Sequence, residues 1–224
     1  MSEITPIAYI ETPFDEKFGV PRQSGIADCP GRIVFAPAFR DCDAVRGMEG
    51  FSHIWLLWQF DRAAGHGWSP TVRPPRLGGN ERVGVFASRS PFRPNGLGLS
   101  AVELEHVSLD EADSPVLYVR GADMVSGTPI FDIKPYLAYA DSYPDAAGGF
   151  TGGDAGEMLA VDFPPELLAQ FDSGERHGLL SALGADPRPR YQEDSERVYG
   201  MRYAGKDVRF TVSDGVVHVV EVEA

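Results

Sequence analysis

The 224-residue sequence contains no GxGxxG turn behind a strand and no GxxxxGK[ST] loop, so the usual nucleotide-fold fingerprints are absent. Cysteine is almost missing. Cys29 and Cys42 form no CxxC pair, which excludes a disulfide-rich scaffold, and both read as reduced thiols of a cytosolic protein. His53, His66, His106, His177 and His218 show no ligand spacing such as HExxH, which removes a metal-dependent hydrolase and leaves no expected metal. His53 sits in an apolar run and is expected to be a core residue. No apolar run approaches the roughly 18–20 residues of a membrane span. The opening "MSEITPIAYIETPF" lacks the basic and apolar regions of a secretory signal. Positive charge is scarce as well: the net charge is −13, which argues against a generic nucleic-acid surface.

That average conceals an asymmetry. Residues 71–100 hold Arg73, Arg76, Arg82, Arg89 and Arg93 against Glu81 alone, a net +4. From Asp141 onward there are 16 acids and 7 bases, a net −9. An acidic chain with one arginine patch favours a local anionic ligand over a broad electrostatic footprint.

The segments 6–13, 31–37, 51–60, 82–88, 99–109, 116–125 and 129–137 are short, rich in β-branched and aromatic residues, and separated by Gly, Pro or Asp. Seven such strands suggest a barrel or a sandwich. "FSHIWLLWQF" (51–60) is apolar at nearly every position, which predicts a central strand covered on both faces. The Gly- and Asp-rich stretch 143–157 reads as a linker. Beyond it the texture changes to two short helices, one entered through Pro164–Pro165 and one ending near Gly184. Three strands joined by "AGK" and "SDG" turns complete a β-meander. The expected division is 1–146 for the β domain and 156–224 for a smaller α+β unit.

Chemistry concentrates in the loops. In "SRSPFRPNGLG" (88–98), Arg89 and Arg93 carry forked guanidiniums suited to phosphate or carboxylate, Pro91 and Pro94 stiffen the loop, and Asn95 presents an amide that can read a base edge. The bland reading is a rigid hairpin whose arginines pair with surface acids. The loop 71–84 repeats the pattern around Arg73 and Arg76, so a bipartite anion site is expected. Residues 121–141 offer Asp123, Asp132, Lys134, Tyr136, Tyr139 and Asp141 as proton acceptors, a cation and hydroxyls near strand ends. Asp141 reads as a turn cap, and a Lys134–Asp132 ion pair is not expected.

"EKFGVPRQSG", "AVRGMEGFSHIWLL", "RPPRLGGNERVGVFASRSPFRPNGLGLSAVEL" and "GTPIFDIKPYLAYADSYPDA" together closely resemble the TsaA-like, or VirR-like, family, the TrmO enzymes. The resemblance covers about residues 4–146, and "DPRPRY" (186–191) looks like a feature of the family's C-terminal domain. It implies a mainly β protein: a single-sheeted, antiparallel-rich, non-Rossmann barrel with a small α+β C-terminal domain, working as a cytoplasmic homodimer. It implies S-adenosylmethionine as cofactor and methylation of N6 of N6-threonylcarbamoyladenosine beside the anticodon of a threonine tRNA. Carried over by position, the cofactor pocket would involve Gln23, Ser24, Gly25, Ile26, Asp61, Arg62, Arg89, Leu99, Arg120, Gly121, Ala122 and Asp123. Arg93, Asn95, Asp132, Lys134 and Tyr136 match family motifs and are the expected catalytic group. Asp132, or a water on Tyr136, is the expected proton acceptor, with Arg93, Arg73 and Arg76 partners for the RNA's anions. Gly96 and Ala138 stand where relatives often have proline. The alternative is a non-catalytic barrel that binds a small anionic nucleotide.

Overall fold

The computed structural model describes residues 4–152, 156–188 and 194–224. In chain order its strands begin with β1 (Ala8–Glu11), β2 (Pro30–Phe35), β3 (His53–Gln59), β4 (Thr71–Val72) and β5 (Val83–Gly84). There follow β6 (Leu97–Ser108), β7 (Val116–Arg120), β8 (Thr128–Pro135) and the helix α1 (Ala138–Asp141). The second part holds β9 (Ala160–Asp162), α2 (Pro165–Leu168), α3 (Ser173–Gly184), β10 (Tyr199–Tyr203), β11 (Lys206–Ser213) and β12 (Val216–Glu223).

Six strands close into one barrel in the order β1-β2-β7-β6-β3-β8, with every pairing antiparallel. Alternation along the strands produces it. In β3, Ile54, Leu56 and Trp58 point inward and are buried, while Trp55 and Leu57 lie half-covered on the outer wall. The expectation of a strand buried on both faces is corrected accordingly, because a barrel has only one dry side. His53 is exposed, beside the Ser52 hydroxyl, and is no core residue. Gly98 lies opposite Trp58 across the β3–β6 ladder, where a Cβ would drive into the indole ring. The run 82–88 contributes no barrel strand. Only Val83–Gly84 pairs, with Thr71–Val72, and the chain then winds through a 3-10 turn at Val85–Ala87 that buries Val85.

A second core forms where β10–β11–β12 meander and β9 joins β12 in parallel, a pairing the sequence reading lacked. Helix α3 covers it, its start held by a capping box in which Glu175 accepts from the Asp172 amide at 3.0 Å. This core is shared. Phe14, Ala27 and Cys29, from the long β1–β2 connection, are buried among Phe171, Leu179, Tyr203 and Phe210. Burying a side chain such as Phe14 stabilises by roughly 1.5–3 kcal/mol, so the connection is anchored to the C-terminal unit. Gly178 of α3 makes the approach possible, since a Cβ there would meet the Tyr203 hydroxyl at 2.6 Å and Pro30 at 2.7 Å. Asp28 adds polar ties: its amide donates to Ser181 Oγ at 2.8 Å, and its carboxylate meets Arg120 (3.2 Å) and His177 (2.7 Å).

Candidate functional site

The end of β3 and the starts of β6 and β8 meet at one rim of the barrel. Between β3 and β6 the chain makes an excursion, residues 60–96, whose neck is closed by the Phe60 amide donating to the Gly96 carbonyl at 2.8 Å. Two loops predicted from their arginines and prolines form this lobe, with the β4–β5 ribbon at its centre. Between the lobe, the rim and the β1–β2 connection lies a groove of about 1190 Å³. Its walls are largely apolar, with Phe18, Leu57, Phe60, Leu97, Leu99 and Met124 among them.

The polar groups in the groove are few and placed. Trp58 Nε1 donates to Ser100 Oγ at 3.0 Å, and the Ser100 hydroxyl donates to Asp123 Oδ1 at 2.6 Å. Ser100 is 2% exposed, so this chain of bonds is dry. Burial pushes the Asp123 carboxyl above its ordinary value, opposed by hydrogen bonds from Ser100 and from the backbone of Asp123 and Ser24, and by the Arg89 charge. The Ser24–Gly25 turn is stitched to the same spot, the Gly25 amide donating to the Gly121 carbonyl at 2.9 Å. Gly121 has φ +77°, and a Cβ there would press on the Gly25 amide at 3.1 Å. Across the groove, Arg89 Nη1 donates to Gln23 Oε1. An arginine–glutamine pair thus faces a half-buried carboxylate.

Of the residues expected for the cofactor, Gln23, Asp61, Arg62, Arg89, Leu99 and Asp123 line the groove, and Ser24, Gly25 and Gly121 support it through their backbone. Arg62 is committed to the carbonyls of Asp15 (2.6 Å) and Ser126 (3.3 Å). Ile26 lines instead a smaller hollow of about 240 Å³ with Arg22, Met158 and Asp186. Arg120 turns away to Asp28 and Glu105, and Ala122 is buried in the barrel core.

Arg93 lines the groove, but its guanidinium donates to the carbonyls of Ser88 (2.7 Å) and Val85 (3.5 Å), so it builds the loop. Asn95 is exposed and outside the groove lining, and Arg73 is exposed on the lobe. Arg76 belongs to the turn Pro75–Leu77, and its side chain lies outside the described residues. Asp132, Lys134 and Tyr136 stand on the outer wall, not in the groove lining. Asp132 is registered with Leu57 and Lys134 with Trp55, two of the three β3 residues that do line it. Lys134 Nζ lies 3.3 Å from Asp132 Oδ2, an ion pair the sequence reading rejected: residues two apart on a strand share a face. The Tyr136 ring packs 5.5 Å from that of Trp55, and Asp141 caps its turn by accepting from Leu137 N (2.8 Å) and Trp55 Nε1 (3.0 Å).

Sequence reasoning missed Ser100, Trp58 and the contribution of the C-terminal unit. Pro187 and Arg188 line the groove, and Arg22 Nη2 donates to the Arg188 carbonyl at 2.6 Å. The Arg188 guanidinium forks onto Asp186 at 2.9 and 3.1 Å. The remainder of "DPRPRY", 189–191, lies outside the described residues. The motif's resemblance to the family's C-terminal domain was its visible signal.

Comparison with known proteins fits this geometry. Two family models match the chain: the tRNA-methyltransferase O N-terminal domain over residues 9–142 and the TrmO C-terminal domain over residues 156–224. The tRNA (adenine(37)-N6)-methyltransferase of Escherichia coli (strain K12) is 41% identical over 226 residues, covering 97% of this chain and 96% of that protein. The enzyme of the same name from Eikenella corrodens is 43% identical over 183 residues, covering 78% and 98%. The crystal structure of TrmO from Pseudomonas aeruginosa superposes with a TM-score of 0.80 at 29% identity, covering 100% of this chain and 99% of that one. The chain belongs to the tRNA-methyltransferase O family.

Proposed function

We propose that this chain transfers the methyl group of S-adenosylmethionine to N6 of N6-threonylcarbamoyladenosine, beside the anticodon of a threonine tRNA. The observation that carries the reading is the groove in which the Arg89–Gln23 pair faces the Ser100-held carboxylate of Asp123. Relatives of the chain are named for adenine-N6 methylation of tRNA and for S-adenosylmethionine-dependent methyl transfer.

The donor set suits that cofactor. A guanidinium with an amide beside it answers a carboxylate, a fixed carboxylate answers an ammonium or a ribose diol, and the apolar wall accepts an adenine ring. Arg89, Gln23 and Asp123 would hold it, with the Ser24–Gly25 turn against its backbone-facing side. When bound, S-adenosylmethionine supplies a methyl group on a positively charged sulfur. The chain's own task is alignment, since in-line displacement gains more from orientation than from a strong charge clamp. The acceptor nitrogen is conjugated into a urea and must lose its proton. Asp132, or a water on Tyr136, receives it at the groove's outer edge, beside Trp55 and Leu57. Arg73 and Arg76 meet the anions of the RNA, while Arg93 shapes the loop between them. Residues 1–146 act as the catalytic unit and 156–224 as a second unit that closes the groove through Pro187 and Arg188. The assembly is a cytoplasmic homodimer, in keeping with the family resemblance.

The test is incubation of the purified chain with S-adenosylmethionine and tRNA from a strain lacking this activity, followed by nucleoside mass spectrometry. A mass gain of one methylene on the threonylcarbamoyl nucleoside, a methyl in place of a hydrogen, is the expected result. Cofactor binding with no gain on that nucleoside would overturn the assignment in favour of a non-catalytic module.

A further inference from the structure

The lobe, residues 60–96, carries a net +4 in a chain whose total is −13, so the remaining residues carry −17. On this one cationic patch Trp68 is 56% exposed, Phe86 74% and Phe92 39%. Three passes of chain hold them side by side. The Ser69 amide donates to the Phe92 carbonyl at 3.2 Å, the Val85 amide to the Pro70 carbonyl at 3.0 Å, and Thr71 pairs with Gly84.

The exposure is built in. Val85 is buried, and Arg93 clamps the carbonyls of Val85 and Ser88, so the turn between them thrusts Phe86 into solvent. Among the described residues neither Trp68 nor Phe86 meets another aromatic ring. Arg73, Arg82 and Arg89 are exposed around them, and Arg82 is steadied by the Thr71 hydroxyl at 3.0 Å. The exposed Tyr139 and Tyr143 lie instead among Asp141 and Asp145, without arginines near them in the chain. Phe92 and Arg89 also line the groove, which joins the patch to the site of chemistry.

We infer that Trp68 and Phe86 form a stacking platform for unpaired bases that flank the reacting nucleoside, with Arg73 and Arg82 holding the intervening phosphates. Rings interleaved with guanidiniums fit single-stranded RNA, because every base offers a flat face and every linkage a charge. The inference rests on the proposed tRNA activity and adds the residues that read the loop around the target.

The test uses the full chain with Trp68→Ala, Phe86→Ala, the double variant and Trp68→Phe. Each alanine raises the KM for tRNA about tenfold, the double variant raises it further, and Trp68→Phe restores most of it. The KM for S-adenosylmethionine and kcat stay unchanged. Separately, an unmodified anticodon stem-loop RNA quenches tryptophan fluorescence more in the parent chain than in Trp68→Phe, where only Trp55 and Trp58 remain to respond. That binding readout stands even if the parent chain methylates nothing, so failure of the activity and failure of the platform are distinguishable. An unchanged tRNA KM in a folded double variant, together with quenching no greater in the parent chain than in Trp68→Phe, would overturn the inference. So would a change in self-association by light scattering with unchanged RNA binding, since the patch would then face a second copy of the chain.

Discussion

Ser100 donates a hydrogen bond from its hydroxyl to Asp123 Oδ1 at 2.6 Å while accepting one from Trp58 Nε1 at 3.0 Å. One buried serine thus links the barrel core to the carboxylate that faces the groove. Ser100→Ala strands the indole N–H and removes a donor from Asp123, at a cost of about 1–3 kcal/mol. Urea denaturation should show that loss, and the KM for S-adenosylmethionine should rise several-fold with kcat less affected.

The raised pKa of Asp123 has a definite sign. Below its ordinary value of 3.8 the carboxyl is neutral in both folded and unfolded chains, and this group contributes its full share of stability. As pH climbs through the raised value, folding must bury a charge, and that share is lost. Asp123→Asn removes the charge, so its stability relative to the parent should improve between acid and neutral pH, while its cofactor affinity falls. A gap in melting temperature that does not change with pH would contradict this.

The two thiols should separate cleanly. Burial, with the neighbouring Asp28 charge, pushes Cys29 up to about 12, whereas Cys42 is exposed. With a thiol-reactive dye at pH 8, the folded protein should release one equivalent quickly, and the second only in denaturant.

Gly178→Ala tests the docking of the C-terminal unit. The added methyl meets Tyr203 and Pro30, and overpacking of this kind costs about 1–3 kcal/mol. Calorimetry should show a lowered melting temperature. Because the same unit brings Pro187 and Arg188 to the groove, the cofactor KM should also increase.

Much of the barrel was legible because short runs rich in β-branched and aromatic residues are separated by Gly, Pro and Asp, whereas β3, apolar at nearly every position, hid which of its faces is dry. Turn chemistry likewise announced the lobe, the meander and both helices. Residues 82–88 misled because an apolar run interrupted by Gly84 spends one residue in the core and thrusts the next outward. The three-residue β9 is too short to carry a pattern. Ser100 was illegible for another reason: its partners lie 42 residues before it and 23 after it, and a serine inside a strand looks ordinary until the barrel closes. The Asp132–Lys134 pair was legible, and the period of two, properly applied, predicts it.

The central claim is that the groove between Arg89–Gln23 and Asp123 receives the methyl donor. Isothermal titration of S-adenosylmethionine into the parent chain and Arg89→Ala tests it most directly. The account predicts one site per chain in the parent and about tenfold weaker binding in the variant, the loss expected when a charged hydrogen-bond donor is removed. Equal affinity for the two proteins would contradict it.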